Sequence, residues 1–159
     1  MNELHRMIPP PFQQRNLVYA LKEIQIRIQV FLAAFQNEHV KRVLGESGVT
    51  LSDTGENNSC CRFATPIGAI KVEFKNRRDG DYLGVAATFG FENKEGEQED
   101  RFFVLFMNLE DKWTDSSGVT FSTGGHLEVP ESYEIAPLMM RVLTKGLQIQ
   151  SDKLQAIGS

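Results

Sequence analysis

The chain has 159 residues, of which 41% are hydrophobic and 24% charged, an ordinary composition for one soluble globular domain with a sizeable core. Its formal net charge of −4 argues against a general binder of nucleic acid or of anionic membranes. No apolar run approaches the length that is needed to cross a membrane.

The first twelve residues predict a flexible, proline-rich arm. The run Pro9–Pro11 cannot lie inside a helix, and the polar start of the chain lacks the apolar core of a signal peptide. The two cysteines, Cys60 and Cys61, are adjacent and have no distant disulfide partner, which is typical of a reducing compartment. We therefore expect a cytoplasmic protein in which residues 13–159 form a single domain.

A long helix is predicted from Gln13 to Leu44, with Gly45 well placed to end it. Its apolar residues recur at alternating spacings of four and three, which is the pattern of a heptad seam. The residues of this seam are Leu17, Leu21, Ile24, Ile28, Phe31 and Phe35. The seam either packs on a sheet of the same chain, with a bend near Gln36, or meets a partner, most simply a second copy of the chain.

Short segments with strand character follow, separated by turn residues. The clearest is Ala69–Lys75, in which apolar and charged residues alternate. The segments predicted as strands are 48–52, 59–65, 69–75, 82–91, 101–109, 119–122 and 126–129. The last two are short and flank a pair of glycines, so we expect a sheet of five or six strands.

A second helix is predicted after Ser132, which is a suitable N-cap. Its apolar face consists of Ile135, Leu138, Met139, Val142, Leu143 and Leu147. The short connections between strands favour an antiparallel meander. The sequence thus predicts an α+β fold with a long N-terminal helix, a five- or six-stranded antiparallel meander sheet and a C-terminal helix.

We expect the hairpin Tyr82 to Leu109 to lie at the centre of the antiparallel sheet. Its first arm places small residues on one side, namely Gly84, Ala86, Thr88 and Gly90. Its second arm is apolar on both sides, with Phe102, Val104 and Phe106 on one and Phe103, Leu105, Met107 and Leu109 on the other. Two helices either cover both sides of such a strand or lie on one side and leave the other for a partner.

No group of residues has the spacing of a catalytic or metal site, so we predict neither a catalytic residue nor a cofactor. The triplet Asp53-Thr54-Gly55 resembles that of aspartic proteases only in part, because Glu56 places a charge where those enzymes have a small residue. The cysteines and the three histidines lack the spacing of a nucleophile or ligand set. A basic cluster, Lys71, Lys75, Arg77 and Arg78, is interspersed with acids and is either a charged surface or a contact for phosphate or an acidic partner.

These patterns favour a non-enzymatic protein-interaction domain of the adaptor, chaperone, inhibitor or immunity type, which we expect to form a homodimer. The residues expected to contact a partner are Leu17, Leu21, Ile24, Ile28, Phe31, Phe35, Phe103, Leu105 and Met107. The alternative is a small-molecule-binding or hydrolytic domain with a pocket between the sheet and a helix. The residues expected to line that pocket are Gly84, Ala86, Thr88, Gly90 and Trp113.

Overall fold

A computed structural model of the chain describes residues 14–55, 59–79, 82–107, 112–122 and 133–158. The helices of these ranges are α1 (Gln14–Gln36), α2 (Glu38–Glu46) and α3 (Ile135–Gly158). The strands are β1 (Thr50–Thr54), β2 (Cys60–Thr65), β3 (Gly68–Asp79), β4 (Tyr82–Glu92), β5 (Gln98–Met107), β6 (Lys112–Asp115) and β7 (Thr120–Ser122). The predicted arm at residues 1–12 and the predicted strand at residues 126–129 lie outside the described ranges.

All strands pair in chain order, β1 to β7, and every pair is antiparallel. The α+β fold with an antiparallel meander is therefore confirmed, but the sheet has seven strands rather than five or six. The additional strand is β6, which lies between the predicted segments 101–109 and 119–122. It forms because Trp113, at its centre, is completely buried and pairs with Met107 on one side and Phe121 on the other.

The predicted long helix is interrupted at Asn37, next to the expected bend at Gln36. The Asn37 backbone is extended, and its side-chain oxygen accepts hydrogen bonds from the amides of His39 (2.9 Å) and Val40 (3.3 Å). This is a standard N-cap, so α2 begins as a separate helix. The break lets α1 and α2 follow the sheet in different directions.

The sheet is strongly curled. Neighbouring strands lie about 4.8 Å apart, so β3 and β6 of a flat sheet would be separated by about 14 Å. The ring centroids of Phe74 on β3 and Trp113 on β6 are only 6.4 Å apart. Phe31 of α1 packs against both, at 5.7 Å and 4.7 Å, and therefore sits inside the curl.

Both long helices lie on the concave side of this sheet. Helix α1 contacts it through Phe31 and Phe35, and Phe35 packs on Phe63 of β2 with ring centroids 4.9 Å apart. Helix α3 contributes buried residues to the same hydrophobic core, namely Ile135, Leu138, Met139 and Val142. Of the two arrangements that the sequence allowed, the structure thus adopts the one with both helices on a single side. Within the described ranges, no helix covers the convex side.

A bulge between β4 and β5 changes the direction of one predicted side chain. Phe89 pairs with Phe103, but Phe91 pairs with Glu99, so β5 carries extra residues at this point. Phe102 then packs on Phe91, with ring centroids 4.9 Å apart, and approaches Gly146 of α3. The alternation pattern had grouped Phe102 with Val104 and Phe106, and the bulge separates it from them.

The buried carboxylate of Asp115 connects α3 to the end of β6. Asp115 accepts hydrogen bonds from the amides of Ser117 and Val119, both at 2.9 Å, and from Nε of Arg141 at 3.0 Å. Its side chain is almost fully buried, whereas that of Arg141 remains partly exposed. The interaction joins the turn after β6 to the first half of α3.

Replacing Asp115 with alanine is expected to lower the free energy of unfolding by about 3 kcal/mol, because two amides and a guanidinium lose their acceptor. Urea unfolding measures the change. The control is Asp152→Ala, which removes an exposed carboxylate that accepts only from Gln148 and should change stability by less than about 0.5 kcal/mol. Equal effects of the two substitutions would contradict this role of Asp115.

Candidate protein-interaction surface

The residues predicted to contact a partner belong mostly to the core of the chain itself. Seven of them are buried, namely Ile24, Ile28, Phe31, Phe35, Phe103, Leu105 and Met107. Leu21 lies at the edge of the core and is 37% exposed. The side chain of Leu17 lies outside the described part of the structure. The heptad seam of α1 therefore packs on the sheet of its own chain along the described length.

The structure does not bring the predicted pocket residues together. Trp113 lies in the concave core, whereas Ala86 and Thr88 belong to the convex side, since they alternate with the buried Val85, Ala87 and Phe89. Gly84 and Gly90 follow the same alternation along β4.

The packing around position 90 requires a glycine. A Cβ atom there would lie 2.6 Å from the side chain of Gln98 and 2.7 Å from the Glu99 carbonyl oxygen. The Gln98 amide donates to the carbonyl oxygens of Lys71 (2.8 Å) and Thr88 (2.6 Å), so it fills the space beside this glycine. Gly90 thus admits the close approach of β5 at the bulge.

One shallow cleft, with a volume of about 260 Å³, opens between the end of α1, α2 and β1. Its walls include Phe35, Leu44 and Leu51, and Lys41 supplies its one charged side chain. Pockets for small molecules usually measure roughly 300–1,000 Å³ and carry several converging polar groups. This cleft is smaller than that range, and the polar side chains that line it are Gln36, Lys41 and Thr50.

Two of the groups that suggested chemistry, Asp53 and Cys61, are occupied or buried. Asp53 pairs with Arg62 at 3.2 Å, and Arg62 also binds Glu92. Cys61 is fully buried, and burial raises the pKa of its thiol far above the ordinary value, so the thiol stays neutral. Among the described residues, no cluster of three or more potential metal ligands occurs.

Helix α3 carries an apolar surface that the core does not use. Its inner side is buried, but four large apolar residues are exposed, namely Met140 (57%), Leu147 (52%), Leu154 (71%) and Ile157 (82%). The first three follow one line beside the inner row, whereas Ile157 lies about five full turns after the buried Met139, in line with the inner row. We call these four residues the C-terminal stripe. Single exposed apolar side chains are common, whereas a continuous row of them marks an interaction site.

The spacing of the stripe follows a heptad. Met140, Leu147 and Leu154 are seven residues apart, and Leu143 and Ile157 each follow one of them by three positions. Gln150 occupies the corresponding position between them. Leu143 is partly buried against the core, and the Gln150 amide donates to the Ile67 carbonyl oxygen at 2.7 Å, so these two positions also contact the chain itself. The heptad thus runs from Met140 to Ile157, and the four residues of the C-terminal stripe are its exposed members.

Small and neutral groups surround the C-terminal stripe. Thr144 and Ser151, one turn from its leucines, leave room for another helix to approach. Two of the three cations of α3 have acceptors among the described residues, since Lys153 binds Asp100 and Arg141 binds Asp115, and the third, Lys145, is exposed. Two of the charges that flank the stripe are therefore neutralised.

The last two turns of α3, residues 151–158, are exposed at every position. Such turns gain little stability from packing within the chain.

None of the described helices is long and apolar enough to pass through a bilayer. A comparison of the chain with models of protein families, with curated proteins and with solved structures finds no match.

Sequence reasoning missed this stripe because α3 has two apolar rows that lie side by side. Leu147 was assigned to the inner face, yet half of it is exposed, and Met140, Leu154 and Ile157 were not selected at all. The signal that finds the stripe is the interval of seven from Met140 to Leu147 to Leu154. It is hidden by the stronger row of Ile135, Leu138, Met139 and Val142.

The buried thiol gives a pH dependence that can be measured. Because the pKa of Cys61 is raised in the folded state, its stabilising contribution is complete below the ordinary thiol pKa of about 8.5 and is lost as the pH rises above it. Above that pH, unfolding free energy should fall more steeply in the wild type than in Cys61→Ala, by up to about 1.4 kcal/mol per pH unit. Cys60→Ala should keep the wild-type slope. Identical slopes for wild type and Cys61→Ala would contradict the burial of this thiol.

Proposed function

We propose that this chain is a non-enzymatic protein-interaction domain that pairs with a second copy of itself through the C-terminal stripe. The observation that carries the proposal is the exposure of large apolar side chains along one side of α3. Contact with water disfavours such a surface, and its burial against another chain is the usual source of binding free energy. Adaptors, chaperones, inhibitors and immunity proteins all act in this way, by binding alone.

The heptad spacing supports another helix as the occupant. Residues at intervals of three and four form one seam on a helix, and two such seams interlock. The stripe is also self-complementary in an antiparallel pair around a two-fold axis. The layers of this pair are Ile157 with Met140, Leu154 with Leu143, and Leu147 with Gln150.

The antiparallel arrangement supports the projecting end of α3. The exposed turns at 151–158 of one copy would lie on the first half of α3 in the other copy, where Met140 is exposed. Electrostatic repulsion between copies is small, because Lys153 and Arg141 are bound to carboxylates of their own chain. Pairing would therefore bury apolar surface without bringing free like charges together.

Leu154→Lys is expected to convert the dimer into a monomer, because the substitution places a charge in an apolar layer of the interface. Sedimentation velocity over a range of protein concentrations measures the mass. The matched control is Ile26→Lys, which changes a 45% exposed apolar residue on α1 and should leave the dimer intact. A monomeric wild type at all concentrations, or a dimer that Leu154→Lys leaves unchanged, would refute the proposal.

The direction of pairing is tested by cross-linking in a Cys60→Ala, Cys61→Ala background. The double variant Met140→Cys, Ile157→Cys should form a disulfide-linked dimer, because these positions meet in the antiparallel register. Each single variant should not, because the same position in the two copies would be about 25 Å apart, at 1.5 Å per helical residue. Efficient cross-linking of the single variants would instead indicate parallel helices.

A further inference from the structure

The convex side of the sheet carries a second surface, which the proposed dimer does not use. Strand β3 alternates between the buried residues Ile70, Val72 and Phe74 and outward-facing charged residues. The outward residues are Lys71, Glu73, Lys75 and Arg77. Lys75 and Arg77 are exposed, and they stand two residues apart on the same side of the strand.

The neighbouring strands supply small and apolar residues beside these cations. Lys75 pairs with Ala86, and Ala86 pairs with Phe106 on β5. In the next row, Thr88 pairs with Val104. Ala86, Val104 and Phe106 are half-buried, and within the described ranges no helix lies over them. We call Lys75, Arg77, Ala86, Val104 and Phe106 the convex patch.

Arg77 is held in place by an aromatic ring. Its guanidinium carbon lies 4.3 Å from the centroid of the Phe106 ring. Arg77 pairs with Gly84, which has no side chain to block the path from β3 across β4 to Phe106. A guanidinium that stacks on a ring keeps its N–H groups directed outward in the plane, where they can bind a carboxylate with two parallel hydrogen bonds.

Neither exposed cation of the convex patch has a carboxylate partner among the described residues. The ion pairs of the described chain involve Arg27, Arg62, Arg141 and Lys153. This is unexpected by charge alone, since the whole chain contains 21 acidic and 17 basic residues. Two exposed cations beside a half-buried apolar surface, of which Arg77 is oriented by the Phe106 ring, thus remain available to an external anion.

We propose that the convex patch binds an extended acidic segment of a partner protein. Alternate side chains of an extended peptide are about 6.7 Å apart, which equals the spacing of Lys75 and Arg77 along β3. Two carboxylates at positions i and i+2 of the segment contact these two cations. An apolar side chain two positions before them, which points to the same side of the segment, packs on Ala86, Val104 and Phe106.

The surrounding charge favours this partner over a nucleic acid. Glu73 lies on the same side of β3, and the chain as a whole has a net charge of −4. A polyanion of uniform charge is repelled by both, whereas a peptide can place neutral residues opposite Glu73. The patch is also too small for the many phosphate contacts on which nucleic-acid affinity depends.

The binding test uses a fluorescein-labelled ten-residue peptide with valine at positions 2 and 8, glutamate at positions 4 and 6 and serine elsewhere, so that valine and glutamate face the same side, with fluorescence anisotropy as the readout. The wild type should bind it, and Lys75→Glu with Arg77→Glu should weaken binding about tenfold or more. The matched control is Lys22→Glu with Lys41→Glu, which changes the net charge equally at exposed helix positions and should retain near wild-type affinity. Circular dichroism melts confirm that both double variants are folded.

Two further variants separate this surface from simple charge and from dimerisation. Arg77→Lys keeps the positive charge but removes the planar guanidinium that can form two parallel hydrogen bonds with a carboxylate, so the affinity for the peptide should fall several-fold. Leu154→Lys should bind the peptide like the wild type, because the C-terminal stripe is a different surface. Success of this binding test is therefore independent of the outcome for the dimer.

Four results would overturn the proposal. They are no peptide binding by the wild type, equal losses in the two charge-reversal double variants, equal binding of a peptide in which glutamine replaces glutamate, and tighter binding of a twelve-nucleotide single-stranded DNA than of the peptide. The last result would assign the patch to nucleic acid instead of an acidic protein.

Discussion

The contact of Phe31 with Phe74 and Trp113 is the constraint on which the rest of the structure depends. It holds β3 and β6 together across a curl that brings their aromatic rings within 6.4 Å of each other. A sheet curled in this way has one concave side, and the apolar residues of α1 and α3 are both buried there. Along β3, β4 and β5 the convex side carries charged, small and half-buried residues, whereas Thr114 of β6 and Ser122 of β7 are buried. Among the described residues, the difference between the two sides of β3 to β5 follows from one aromatic cluster.

The same constraint explains why α3 exposes apolar residues. Only one row of the helix reaches the concave core, and Gly146 lets that row approach Phe91 and Phe102 closely. The second row, Met140, Leu147 and Leu154, points elsewhere, and the last two turns of the helix are exposed at every position. Among the described residues, Lys153 links these turns to Asp100 of β5 by an ion pair. The exposed apolar residues of these turns are the part of the fold that is most readily explained by a partner.

Local patterns in the sequence predicted most of the elements, whereas tertiary contacts decided the rest. The alternation in Ala69–Lys75 predicted β3 because one side of that strand is buried and the other is open. Strand β6 was missed because four mostly polar residues form a strand only when Trp113 has a core to enter. The seam of α1 was recognised as a heptad, but a heptad does not state whether its partner is a sheet or a second helix. The bulge at Gly90, which redirects Phe102, and the two rows of α3 likewise depend on strands and helices that are distant in the sequence.

In the proposed dimer, α3 of one copy is covered by α3 of the other. Amide hydrogen exchange of residues 151–158, measured by mass spectrometry at two protein concentrations, reports this coverage. If the dimer forms, these amides exchange rapidly in dilute protein and are strongly protected in concentrated protein, while the amides of the buried strand β4 are protected equally in both. Exchange of residues 151–158 that does not depend on concentration would show that α3 is not covered by a second copy.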